Sequence, residues 1–140
     1  METVISRTYS ICCAHQLEGH PKCGRLHGHN YEIIVAVTGR VDPKTGMILD
    51  FAEMDNIIKP DLDAMDHRYI ISNDNLAKNN PIAQLALQQG MGTYLSIEYS
   101  TAECIARYLF DWINSQLEET DVAWVEVKET PKSVARYDRS

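Results

Sequence analysis

The run His27-Gly-His-Asn-Tyr-Glu-Ile-Ile-Val-Ala-Val-Thr38 decides how the rest of the chain is read. Its second part, from Tyr31 to Thr38, is rich in β-branched residues and reads as the clearest strand of the sequence. Its first part sets two histidines two positions apart. Residues two apart in an extended chain project to the same face. His27 and His29 can therefore reach one ion, and Gly28 between them leaves room for close approach. A bare His-x-His is a weak motif, and two turn histidines bonded to backbone would explain it as well. Upstream, Thr3 to Ala14 carries Val4, Ile5, Tyr9 and Ile11 and reads as a second strand that ends at His15. His15 alone would be an ordinary core or loop histidine. With the other two it completes three neutral imidazoles, which with one open position make a catalytic zinc site.

The bulk of the chain fits this reading. Its 140 residues suffice for one domain, spanning 1–140, around one core. The composition, 44% hydrophobic and 24% charged, is that of a folded protein. A net charge of -7 argues against a nucleic-acid partner, although local positive charge could still hold an anionic substrate. No apolar run has membrane-spanning length. Met1 to Ile11 lacks the apolar core of a secretory signal, so the expected address is the cytoplasm. Cys12, Cys13, Cys23 and Cys104 are then expected as reduced thiols.

Further elements follow from pattern. Gln16 to Gly28 reads as a loop. Val41-Asp-Pro-Lys-Thr-Gly46 is a turn, and Met47 to Leu49 is expected to return as a short strand, closing a hairpin. Asp50 caps a helix from Phe51 with Met54, Ile57, Ile58, Leu62 and Met65 on one stripe, which Pro60 should kink or break. Ser100-Thr-Ala-Glu103 reads as a capping box for a helix burying Ile105, Leu109, Trp112, Ile113 and Leu117. Val122 to Val127 is the last full strand and runs into Glu129-Thr130-Pro131. The pattern is α+β, with helices on one face of a mostly antiparallel sheet. Ser72 to Tyr99 exceeds ordinary loop lengths, and only Pro81 to Gln89 within it suggests a helix.

Three more places carry chemistry. Cys23, four residues before His27 and near Lys22 and Arg25, is expected to be rich in thiolate beside a dication. It could be a nucleophile, a base or a fourth metal ligand; a small buried cysteine is the plain alternative. Asp66-His67 could form a proton-carrying pair, but neighbouring side chains diverge in helix and strand, so the backbone must bend there. Glu129, at a strand end, offers two acceptor oxygens to paired N–H donors such as the edge of a pterin or guanine, although strand-end glutamates are usually solvated.

Together these residues resemble a known family. The landmarks are Ala14-His15, Cys23-Gly-Arg-Leu-His27-Gly-His29-Asn30-Tyr31, Gly39-Arg-Val-Asp-Pro-Lys-Thr-Gly46, Ile48-Leu-Asp50-Phe51, Asp66-His67, Thr101-Ala-Glu103 and Lys128-Glu129-Thr130. In this order they resemble the 6-pyruvoyltetrahydropterin and 6-carboxytetrahydropterin synthases of the tunnelling (T) fold. The resemblance implies a four-stranded antiparallel sheet with two helices on one face, closing into a barrel by oligomerisation. It implies a homo-oligomer, commonly a hexamer of two stacked trimers, with active sites between subunits. It assigns His15, His27 and His29 to Zn2+, Cys23 to the reactive thiol, and Asp66 and His67 to proton relay from another subunit. It assigns Glu129 to anchoring the pterin, with Thr101 and Glu103 lining its pocket.

The Cys-x3-His-Gly-His spacing is similar to that of the carboxy-producing branch. The implied reaction takes 7,8-dihydroneopterin triphosphate to 6-carboxy-5,6,7,8-tetrahydropterin, acetaldehyde and triphosphate, on the route to queuosine. The alternatives are the pyruvoyl-producing reaction, a non-catalytic pterin- or zinc-binding homologue, and a structural zinc site. Three features depart from the family: Cys12-Cys13 before Ala14-His15, Ser100 in place of a usual Pro, and the long insertion 72–99 between the two helices.

Overall fold

In this computed structural model, which describes residues 3–140, burial alternates along β1 (Thr3–His15) at Tyr9, Ile11, Cys13 and His15. Met1 and Glu2, where the expected domain begins, lie outside the described residues. β1 pairs antiparallel with β2 (His27–Gly39) along its whole length, from Thr3 opposite Gly39 to His15 opposite His27. The strand thus starts four residues earlier than Tyr31, and both histidines of the pair lie inside it. β5 (Asp121–Thr130) lies antiparallel against the other edge of β2, with a bulge at Ala36/Val37, and β6 (Ser133–Tyr137) lies outside it.

Two helices cover the apolar face. α1 (Phe51–Met65) is capped by Asp50, whose Oδ1 accepts the Ala52 N–H at 2.8 Å. It buries Met54, Ile58, Leu62 and Met65. α4 (Ala102–Gln116) buries Ile105, Leu109, Phe110 and Ile113. Their buried side chains share one core with Ile33, Val35, Val37, Val125 and Val127. Burying each such side chain contributes about 1.5–3 kcal/mol.

The structure corrects several expectations. Among the described residues the sheet has six strands, not four, and four helices are present. The additions come from residues 68–94. β3 (Arg68–Ile71) joins the free edge of β1 in parallel, and β4 (Gly92–Tyr94) joins β3 in parallel. Between them lie α2 (Asn73–Ala77) and α3 (Pro81–Gln88). Met47 to Leu49 forms no strand, because β1 and β5 already occupy both edges of β2. The turn before it closes locally, with Gly46 N–H on Asp42 O at 2.7 Å and Gly46 at φ 74. Pro60 does not break α1. It lies on the exposed side, where water can satisfy the carbonyl it leaves unpaired. The expected Ser100–Glu103 capping box does not form: Thr101 is the N-cap, its Oγ1 accepting the Cys104 N–H, and Ser100 is buried. Trp112, placed on the core stripe, is 39% exposed.

Candidate active site

Beyond Ile11 and Ile33 the buried face of the β1–β2 ribbon turns from aliphatic to aromatic. Cys13, Tyr31, His29, His15 and His27 continue it. The register sets His15 opposite His27, and the two-residue period brings His29 alongside. Ring centroids lie 4.5 Å apart for His15–His27, 5.1 Å for His15–His29 and 5.0 Å for His27–His29. One ring nitrogen of each lies within 4.8 Å of the others, so the three could hold a metal ion.

Backbone carbonyls fix two tautomers. Nδ1 of His15 lies 2.6 Å from Ser100 O, and Nδ1 of His27 lies 2.6 Å from Arg25 O. A carbonyl only accepts, so each Nδ1 carries the proton and each Nε2 keeps a free lone pair. Nε2 of His15 and of His29 are buried without a hydrogen-bond partner. Buried acceptors left unpaired cost about 1–3 kcal/mol each, and a cation among them removes that cost. Burial holds the His15 pKa below the ordinary imidazole range, opposed by its bond to Ser100, so the ring is neutral as a ligand must be. The donor set thus fits an imidazole-binding metal.

Tyr31, next on this face, meets His29 edge-on at 5.4 Å, and its buried hydroxyl has no partner. Burial raises the Tyr31 pKa, and Glu129 adds to the effect. Glu129 Oε2 stands 3.6 Å from His29 Nε2, too far for a hydrogen bond but within electrostatic reach. Glu129 also lines a cleft of about 330 Å3 with Ala102, Glu103, Arg136 and Tyr137. Thr101 is not among the residues lining this cleft; its hydroxyl is engaged as the cap of α4.

Cys23 is half-buried in the loop joining β1 to β2. Leu17 N–H donates to Cys23 O at 2.8 Å, and His20 Nδ1 accepts the N–H of Cys23 at 2.9 Å and of Lys22 at 3.2 Å. A Cβ on Gly24 would lie 2.5 Å from His20 O, so the turn requires glycine. No spacing in the sequence pointed to His20. Its role depends on how the loop closes on itself. Gln16, buried at the root of the loop, was also missed, for the same reason.

Asp66 and His67 do meet. His67 sits at φ 62, the left-handed bend their cooperation needed, with Nδ1 at 3.0 Å from Asp66 Oδ1. Asp66 Oδ1 also accepts the Cys12 N–H at 2.8 Å, and this bond, with His67, holds the carboxyl below its usual pKa. His67 opens onto a shallow concavity with Cys12, Asn30 and His29, but not with Cys23, His15, His27 or Glu129. Within one chain, then, the pair does not share this concavity with Cys23 or Glu129.

Residues 4–140 match the family model described as 6-pyruvoyl tetrahydropterin synthase. This chain belongs to that family. The family is one of enzymes, lyases acting on pterins. The chain is 34% identical over 138 residues to the 6-carboxy-5,6,7,8-tetrahydropterin synthase of Haemophilus influenzae, covering 95% of this chain and 96% of that protein. It is 30% identical over 128 residues to the 6-pyruvoyl tetrahydrobiopterin synthase of Drosophila melanogaster, covering 89% and 66%. The solved Caenorhabditis elegans 6-pyruvoyl tetrahydropterin synthase matches at TM-score 0.72 and 28% identity, over 100% of this chain and 97% of that one. An uncharacterised protein from Wolinella succinogenes matches at TM-score 0.84 and 22% identity, over 100% and 99%, and shows the fold alone. No helix among the described residues is long and apolar enough to cross a membrane.

Proposed function

We propose that this chain is a zinc-dependent lyase of the carboxy-producing branch. It would convert 7,8-dihydroneopterin triphosphate, with one water, to 6-carboxy-5,6,7,8-tetrahydropterin, acetaldehyde and triphosphate, a cytoplasmic step toward queuosine. The observation that carries the reading is the convergence of three imidazoles, two of them tautomer-fixed by backbone carbonyls, beside the Glu129 carboxylate. His15, His27 and His29 would hold Zn2+. Bound zinc supplies Lewis acidity that makes the substrate's side-chain hydroxyls easier to deprotonate.

The remaining roles belong to the chain's own groups. Glu129 accepts two N–H donors from the pterin edge, with Glu103 in the same cleft, and so fixes the ring. Cys23, as thiolate, takes a proton from the carbon next to the ring. His67, held in one orientation by Asp66, passes a proton on another face. Because the Asp66–His67 pair does not share a cavity with Cys23, it would act on the thiol of another copy, in a homo-oligomer such as a dimer of trimers. Lys22 and Arg25 are the nearest cations for the triphosphate. Thr101 would serve the pocket through the start of α4 and not through its hydroxyl.

The Cys23-x3-His27 spacing and the 34% match to a carboxy-producing enzyme support that branch. The match to the Drosophila enzyme supports the pyruvoyl-producing reaction as the second reading. Product masses from zinc-loaded protein fed dihydroneopterin triphosphate separate them, since acetaldehyde accompanies only the carboxy product. Release of triphosphate without acetaldehyde would overturn the first reading, and no turnover would overturn both.

A further inference from the structure

The insertion 72–99 is tied to the site by two asparagines built alike. Asn80 Oδ1 accepts the Ile82 and Ala83 N–H groups at 2.9 and 3.0 Å, starting α3. Asn75 Oδ1 accepts from the Ser72 N–H and hydroxyl, both at 2.9 Å, closing the cap of α2. With each oxygen engaged on its own helix, each Nδ2 points out of the insertion. Asn75 Nδ2 donates to Gln16 O at 3.2 Å and Glu18 Oε2 at 2.7 Å. Asn80 Nδ2 donates to Gln16 Oε1 and to the same Glu18 Oε2, both at 2.9 Å.

Gln16 and Glu18 open the loop that carries Cys23. Tyr69 also donates its hydroxyl to Gln16 Oε1, and Gln16 Nε2 donates to Gly24 O at 3.2 Å. Gly24 is bonded to Cys23. Ser100 donates its hydroxyl to Gln16 O at 3.2 Å, while its own carbonyl takes the His15 ring proton. One network therefore joins the insertion, the thiol's loop and one imidazole. Asn75 is fully buried and Asn80 and Gln16 are each 7% exposed, so the bonds from Asn75, Asn80, Tyr69 and Ser100 to Gln16 form away from bulk water, where an unmade one is costly, while those to Glu18 and Gly24 are part-buried.

We propose that the insertion is a strut that sets the position of the Cys23 thiol against the histidine triad. Gln16 and Glu18 are its positioning residues and touch no substrate. The inference rests on the functional reading above. An error of about 1 Å in such placement can cost about 100-fold in rate, so loosening the strut acts on turnover more than on substrate binding.

The test uses the zinc-loaded full chain with Glu18→Ala, Glu18→Gln and Gln16→Met. For each, zinc content, kcat and KM are measured, together with the iodoacetamide alkylation rate of Cys23, followed on its peptide by mass spectrometry. Expected for Glu18→Ala and Gln16→Met are unchanged zinc, KM within about twofold, kcat lowered about tenfold or more, and a changed Cys23 alkylation rate. Glu18→Gln keeps an amide oxygen for both asparagines and should recover most of the loss. Alkylation and kcat both within about twofold of wild type in Glu18→Ala and Gln16→Met would overturn the strut, as would failure of Glu18→Gln to recover. Wild-type protein without turnover would instead sink the functional reading, and the alkylation rates would still decide whether the strut holds the thiol.

Discussion

At the residue scale the site is three converging imidazoles, two of them aimed by backbone carbonyls. The His15 pKa is depressed in the fold by burial, so on acidification the unfolded chain takes up its proton first. Stability of the metal-free protein is therefore full above the ordinary imidazole range and is lost as pH falls through it. Urea midpoints should fall between about pH 7.5 and about pH 5.5, and the fall should vanish in His15→Gln. A pH-independent midpoint over that window would remove burial of a neutral His15 as a stability term. Cys23→Ala should keep zinc while losing about 100-fold or more in turnover, measured by metal analysis and product mass. His27→Ala should lose both. The triad was legible because two signals agreed, the period of two in β2 and the antiparallel partner ending at His15. Gln16 and His20 were not, since their roles depend on loop closure that no local pattern encodes.

At the element scale, the strong elements announced themselves. α1 and α4 carry apolar stripes at helical spacing, and β2 carries a β-branched run. β3 and β4 are four and three residues long and were invisible, because so short a run has no measurable period and depends on the neighbouring strand it joins, β1 for β3 and β3 for β4. The imagined strand at Met47–Leu49 had the composition, but both edges of its hairpin partner β2 were already taken by β1 and β5. The turn carrying Cys23 offers the sharpest test at this scale. Gly24→Ala forces a Cβ to within 2.5 Å of His20 O, so the loop must shift. A loss of about 1–3 kcal/mol in unfolding free energy is expected, with a disproportionate loss of turnover. A variant as stable and as active as wild type would show that the turn does not constrain the thiol.

At the scale of the whole molecule, the sheet is open, with β4 and β6 at its edges, and the Asp66–His67 pair does not share a cavity with Cys23. If those groups meet between copies, two inactive variants should complement each other. Mixing equal amounts of Cys23→Ala and His67→Ala chains, dissociated and reassembled together, leaves about a quarter of the sites with both native groups. Turnover near a quarter of wild type is expected, against almost none for either variant alone. Failure to recover activity on co-assembly would mean that thiol and relay act within one chain.

The central claim is that three imidazoles hold the metal and leave a place open beside a free thiol. X-ray absorption at the zinc edge of the zinc-loaded protein tests it most directly. Three nitrogen neighbours at about 2.0–2.1 Å, with one light oxygen neighbour and no sulfur, are the expected result. A sulfur neighbour at about 2.3 Å would make Cys23 a ligand, close the site and contradict the account.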